Sequence, residues 1–386
     1  MSQSMKPITI NGRYFWKDDE RFIVNGVVYQ QHKPIGNGPR LFADPLSDEQ
    51  LEDLERSIPL FKELGLNTIY VFCIDATKNH DAAMNMLAEA GIYVLTCVST
   101  PHHVVRRDAP LKSYTADLLQ HFFRTVDCMA AYPNTLGVLV ANEVINSIPS
   151  TAAAPVIRAV TRDVKKYMAV AAKAAGQRIL PVGVGSADVR SILKPQFDYF
   201  SAGRDEETID FYAFNSYCWC GKSSMSMSGY NGLVKMFANT HIPVFFSEYG
   251  ANVYSQRLFQ ETQAINSPEM TGVFSGGIVY ELFHGANEYG MVKKHEDGAF
   301  ERLPDFENLK ASLRSCTREP ATIRAFADGG SAMLERPDMP MPSSGWRAGR
   351  SIPESPVDWD EVRAQIEDSQ WILVDRVLQL TINDIL

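Results

Sequence analysis

Leu136-Gly137-Val138-Leu139-Val140-Ala141-Asn142-Glu143 and Pro243-Val244-Phe245-Phe246-Ser247-Glu248 read the same way: each is an apolar run that ends in a glutamate. A strand buried on both faces shows as a continuous β-branched and aromatic run, which marks a parallel sheet covered by helices. A carboxylate at the end of such a run costs free energy unless it is solvated, paired or put to use. Two such ends, 248 − 143 = 105 residues apart, point to two carboxylates converging on one site.

Working outward, strand-like runs recur about eight times, over 22–30, 67–74, 93–99, 136–142, 179–184, 210–217, 243–247 and 277–283. Helical patterns over 48–64, 80–90, 114–131, 156–175 and 232–239 lie between them, several opened by Asp or Ser caps. Strand and helix in alternation predict a parallel sheet, and eight units over roughly 300 residues predict a closed (β/α)8 barrel, a TIM barrel. A doubly wound open sheet is the alternative, but no Gly-x-Gly-x-x-Gly turn follows the first strand. The expected domains are a catalytic barrel over 1–316 and a C-terminal extension over 317–386 packed on it. Residues 335–356 are too rich in proline for regular structure, a short helix is expected over 360–367, and an apolar run spans 371–380.

The 386 residues are 45% hydrophobic and 22% charged, enough to bury a large core. A net charge of −9, with no basic run longer than two residues, excludes nucleic acid as a partner, since affinity for it rests on clustered Lys and Arg. No apolar segment approaches the roughly 20 residues of a membrane span, so no membrane anchor is expected within this chain. No leader-like apolar stretch opens the chain and no Asn-x-Ser/Thr acceptor occurs. These features predict a cytoplasmic protein as given, or an extracellular one if a signal has been removed. The six cysteines are too sparse for a disulfide scaffold and read as free thiols.

In a barrel of this kind chemistry sits at the carboxyl ends of the strands. Glu143 would close the fourth strand and Glu248 the seventh, with Asn142, Asn215, Tyr217 and Tyr280 at neighbouring ends. Paired carboxylates suit cleavage at an acetal carbon: one protonates the leaving oxygen and the other attacks or activates water. Polar and aromatic neighbours suit sugar hydroxyls and ring faces. His102, His103 and Asp108 could in principle bind a metal, but adjacent side chains on an extended segment diverge, so no metal and no cofactor is expected. Cys218 and Cys220, flanking Trp219, read as packing residues.

At these residues the chain resembles the fungal β-1,3-glucanosyltransferases of glycoside hydrolase family 72. The resemblance runs through Phe22 to Gln30, Leu64-Gly65-Leu66-Asn67-Thr68-Ile69, Thr77-Lys78-Asn79-His80-Asp81, Gly91-Ile92-Tyr93-Val94-Leu95, Asn142-Glu143-Val144, Tyr217-Cys218-Trp219-Cys220-Gly221, Phe245-Phe246-Ser247-Glu248-Tyr249-Gly250, Asn287-Glu288-Tyr289-Gly290 and Leu303-Pro304-Asp305-Phe306. It implies a retaining transglycosylase with Glu143 as acid/base and Glu248 as nucleophile. Asn142 would bind the 2-hydroxyl of the reacting sugar, Tyr217 and Tyr280 would line the cleft, and Gln30 would contact substrate. Family members are secreted, usually lipid-anchored, and pass a cut β-1,3-glucan end to another glucan.

Against the family's pattern, strand two reads Ile69-Tyr70-Val71-Phe72 in place of Ile-Arg-Val-Tyr, and Cys97 stands where an aspartate is usual. Tyr70 and Phe72 are therefore expected at the substrate, on a more apolar floor. Ala83, Ala251 and the segment near Leu51 stand where the family's disulfide cysteines are expected. Two readings follow. One is a glycosidase or transglycosylase acting on a β-glucan or a small β-glucoside. The other is an intracellular enzyme that uses the same glutamates on a non-polymeric small molecule.

Overall fold

In the computed structural model, residues 5–30, 32–33, 41–254, 256–316 and 334–368 are described. The apolar runs pair side by side in chain order and close on themselves as an eight-stranded parallel barrel. Its strands are β1 (Val24–Val28), β2 (Thr68–Val71), β3 (Tyr93–Cys97), β4 (Thr135–Asn142), β5 (Val182–Ala187), β6 (Phe211–Asn215), β7 (Val244–Tyr249) and β8 (Gly276–Val279). Each is followed by a helix: α1 (Leu51–Leu64), α2 (Asp81–Glu89), α3 (Ala116–Ala130), α4 (Ala154–Ala175), α5 (Arg190–Ser201), α6 (Tyr230–Phe237), α7 (Gln260–Ile265) and α8 (Pro304–Ser315). The TIM barrel expected from the alternation is the fold.

The core has two layers. Outward-facing residues such as Val27, Ile69, Val138, Phe214 and Phe246 pack against the helices, while inward-facing Val28, Leu95, Leu139, Phe211, Phe245 and Ile278 fill the barrel. That division follows from the period of two along each strand. The filling needs space: a Cβ on Gly183 would lie 2.2 Å from the Phe211 ring, so only glycine lets that ring cross the barrel at this level.

Two expectations change. The single strand expected over 22–30 is split, because Phe22 belongs to an antiparallel sheet of Thr9–Asn11, Tyr14–Lys17 and Glu20–Phe22. This sheet turns Ile8, Phe15 and Phe22 into the inner cluster, with the Phe15 ring 5.8 Å from Phe211 and 5.9 Å from Phe245. Helices α5, α7 and α8 lie outside the helical patterns named from the sequence, and α5 carries Pro195 inside it as the expected α1 carries Pro59. Of the Asp and Ser caps, none bonds the first turn of α1 or α2; Thr115 caps α3, accepting from the Leu118 amide.

Residues 334–368 run over the outer helices. Trp346 is buried against Tyr199 of α5, the Arg347 amide donates to Thr151, and Arg162 of α4 donates to the Pro353 carbonyl. Residues 359–368 are helical, where the short helix was expected, and the run over 371–380 lies outside the described residues. Among the described residues no helix is long and apolar enough to cross a membrane.

Candidate active site

Both carboxylates owe their direction to a register fault. Between the β5 partners Gly183 and Gly185, β4 advances from Leu139 to Asn142, and between the β6 partners Phe214 and Asn215, β7 advances from Phe246 to Glu248. Each strand thus gains one residue just before its glutamate, and a bulge of this kind re-aims the side chains beyond it. Glu143 then takes a left-handed backbone, φ 51°, a conformation that costs a non-glycine residue ~1–3 kcal/mol and is held only by its surroundings. Its amide donates to the Gly185 carbonyl at 2.9 Å, and its carbonyl accepts from Arg107 at 2.7 Å.

The side chains interlock across three strands. Asn215 donates from Nδ2 to Glu143 Oε1 at 2.9 Å and to Asn142 Oδ1 at 3.4 Å, while its Oδ1 accepts from the Ser247 hydroxyl at 2.7 Å. Tyr217 donates to Glu248 Oε2 at 2.7 Å, and Asn142 also bonds the Glu248 carboxylate. Gly185 leaves room for this network, since a Cβ there would lie 2.5 Å from Asn142 Oδ1.

The two glutamates differ in environment. Glu143 is half-buried at the rim, whereas Glu248 is 7% exposed. Burial, with the nearby charges of Glu143 and Glu281 added, pushes the Glu248 carboxyl up to about 8 against the hydrogen bonds from Tyr217 and Asn142. The Tyr217 hydroxyl, buried beside that carboxylate, is held far above its ordinary range and acts as a neutral donor.

A cavity of about 350 Å³ opens above Glu248, lined by Phe72, Cys97, Ser99, Thr100, Pro101, Val104, Asn142, Glu248 and Tyr280. Its aromatic wall is continuous. Phe72 lies nearly parallel to Tyr280 with centroids 6.4 Å apart, and Tyr280 meets Tyr217 and Tyr289 edge to face at 6.3 and 5.2 Å. The wall is set from behind by Arg257, 3% exposed, which donates to the carbonyls of Gly250, Tyr280 and Tyr289 and pairs with Asp305 at 2.7 Å. Sequence reading missed Arg257; the Leu303-Pro304-Asp305-Phe306 motif carries its partner and was the available signal.

Seven of the nine expected site residues gather here: Glu143, Glu248, Asn142, Asn215, Tyr217, Tyr280 and Phe72. Gln30 and Tyr70 are corrections. Gln30 is fully buried, donating to the Ala43 carbonyl and accepting from the Phe72 amide at 2.7 and 3.1 Å, so it fixes the Phe72 backbone rather than facing the cleft. Tyr70 is also fully buried, its hydroxyl 2.9 Å from Cys97 Sγ beneath the cavity. Two of the three departures from the family's pattern, Tyr70 and Cys97, therefore satisfy each other. The metal alternative finds no cluster: among the described residues no three potential ligands gather, and His103 stacks on His121 with ring centroids 4.1 Å apart. All six cysteines are free, and Cys97 is the one that is fully buried.

A family model described as glucanosyltransferase matches residues 1–317. The chain belongs to glycoside hydrolase family 72. Its relatives include the 1,3-β-glucanosyltransferase gel1 of Aspergillus fumigatus, 42% identical over 334 residues that cover 86% of this chain and 71% of the relative. Another is the 1,3-β-glucanosyltransferase GAS5 of Saccharomyces cerevisiae, 41% identical over 80% of this chain and 62% of the relative. Among solved structures, Saccharomyces cerevisiae Gas2p in complex with laminaritriose and laminaritetraose superposes with a TM-score of 0.83 at 33% identity, covering 92% of this chain and 78% of that one. As a family 72 member the protein is an enzyme of the glycoside hydrolase and transglycosylase class.

Proposed function

We propose that the protein is a retaining β-1,3-glucanosyltransferase in which Glu248 is the nucleophile and Glu143 the acid/base. The observation that carries this reading is the asymmetric hydrogen bonding of two carboxylates at the ends of β4 and β7, joined through Asn215 of β6. Tyr217 and Asn142 both bond Glu248 and favour its ionised form, while Glu143 sits at the rim, where a glycosidic oxygen enters. The productive arrangement has the transferable proton on Glu143 and Glu248 ionised.

The reaction then runs in two halves. As the bond from the anomeric carbon to the glycosidic oxygen breaks, the electron pair goes to that oxygen, which takes the proton from Glu143, and a Glu248 oxygen bonds the carbon. In the second half an acceptor hydroxyl attacks the same carbon, gives its proton to Glu143 and releases Glu248. A sugar hydroxyl as acceptor gives transfer, and water gives hydrolysis. Asn142, Tyr217, Tyr280 and Phe72 would contact the donor sugar by hydrogen bonds and stacking.

The laminari-oligosaccharides seen in Gas2p support a β-1,3-glucan as substrate. Such a substrate favours the cell wall over the cytoplasm as the place of work, and neither the site nor the relatives favour a small-molecule substrate. Incubation with laminari-oligosaccharides, with products separated by length, tests the reading: both longer and shorter chains are expected, with the β-anomer retained by NMR. Inverted products, or no change in length, would overturn it.

A further inference from the structure

Ser247 is a serine wholly inside the barrel mouth, and its hydroxyl has a single described partner, Asn215 Oδ1 at 2.7 Å. The bulge in β7 places Ser247 and Glu248 together opposite Asn215. A side-chain amide has one accepting and one donating end, so the bond from Ser247 decides which end points at the catalytic carboxylates. The surroundings agree, because the opposite end of the Asn215 amide faces two acceptors, Glu143 Oε1 at 2.9 Å and Asn142 Oδ1 at 3.4 Å. With its own oxygen turned to Asn215, Asn142 is left to present its N–H to Glu248. Donors and acceptors therefore run in one direction from Ser247 to both glutamates.

Resting on the roles assigned above, we propose that Ser247 is a positioning residue for the general acid. It orients the Asn215 amide so that Glu143 Oε1 is held as an acceptor and the transferable proton sits on Oε2. An unanchored amide can flip and present Oδ1 to Oε1. Two acceptors then face each other, which either draws the proton onto Oε1, away from the leaving oxygen, or pushes Glu143 out of line. The relay touches no substrate atom. In the first half-reaction it acts on a proton that matters only when the leaving group is poor.

The test compares two donors on Ser247→Ala. With laminari-oligosaccharides, whose leaving alcohol needs protonation, kcat should fall about tenfold or more. With a 2,4-dinitrophenyl β-laminaribioside, whose leaving group needs no acid, the burst of dinitrophenolate from the first half-reaction should stay within about twofold of wild type, and Ser247→Thr should recover most of the loss. A retained burst also shows that the variant is folded; should Ser247→Ala not fold, Ser247→Cys keeps the volume with a weaker donor and gives the same comparison. Equal losses on both donors, or no loss on either, would overturn the proposal. A wild-type protein inert to both donors would instead overturn the proposed function. The relay would then be read by NMR: slow exchange of the Asn215 side-chain amide protons in wild type, lost in Ser247→Ala, supports it, and fast exchange in wild type sinks it.

Discussion

The ends of β4 and β7 are built from the same parts and hold their glutamates in opposite ways. Each strand gains one residue against its neighbour just before the carboxylate. Glu143 lies one residue past its strand, half-buried, on a left-handed backbone whose amide makes the last bond to β5 at Gly185 and whose carbonyl is held by Arg107. Glu248 lies within its strand, buried, with an ordinary backbone and a phenol against its carboxylate. The strain of one site is in the main chain and that of the other is in solvation. A carboxylate that must exchange a proton with incoming groups suits the exposed, tethered end; one that must wait as a bare anion against a carbon suits the buried end with fixed donors.

Swapping the outcome at the two ends is the strongest way to break the comparison. With a dinitrophenyl donor and added azide, Glu143→Ala should be rescued to a β-glycosyl azide, since Glu248 still attacks first. Glu248→Ala should lose about 10⁴-fold or more without azide and yield the α-azide with it. The same anomer from both variants would mean that the roles are not divided between the strands.

Stability sharpens the contrast. A carboxyl whose folded pKa, about 8, stands above its unfolded value contributes most at low pH, and that contribution is lost as pH rises from about 4.5 towards 8. At pH 7 the buried Glu248 therefore costs the fold roughly 3 kcal/mol. Glu248→Gln should raise Tm by a few degrees at pH 7 and leave it unchanged near pH 4, while Glu143→Gln should move Tm less. Thermal melts across pH check both, and a destabilised Glu248→Gln at pH 7 would contradict the solvation argument.

The smallest effect expected is on the pH profile. The proton that burial holds on Glu248 is lost as pH passes about 8, so kcat/KM should fall on the alkaline side there. Removing the Glu143 charge by Glu143→Gln should shift the Glu248 titration down, as read by carboxyl NMR. An unmoved Glu248 would show that the two ends do not sense each other.

How legible each part was in the sequence follows the range over which its cause acts. The barrel shows because every covered parallel strand writes its burial into consecutive residues, and the glutamates show because they stand against that burial. The antiparallel sheet before β1 does not show, since Phe22 and Val24 belong to different sheets yet read as one apolar run. Helix α5 carries an internal Pro195, as the expected α1 carries Pro59, so in both the local penalty of proline is outweighed by packing. Gln30 is misread for a related reason: an amide at a strand end suits a sugar, and that its bonds go instead to the Ala43 and Phe72 backbones is settled by chain 13 and 42 residues away. Arg257 is invisible because the ion pair that makes it structural joins residues 48 apart.

The short sheet of Thr9–Asn11, Tyr14–Lys17 and Glu20–Phe22 also governs traffic. By pressing Phe15 and Phe22 into the inner cluster it corks the barrel at the end away from the glutamates, so the cavity above Glu248 has its doorway on the mouth side. In the reaction proposed above, the severed half of a donor would have to back out through that doorway before an acceptor could step in. In the interval the proposed glycosyl-enzyme would meet whichever hydroxyl arrives first, and the speed of that departure would become a lever on whether a glucan grows or is merely cut.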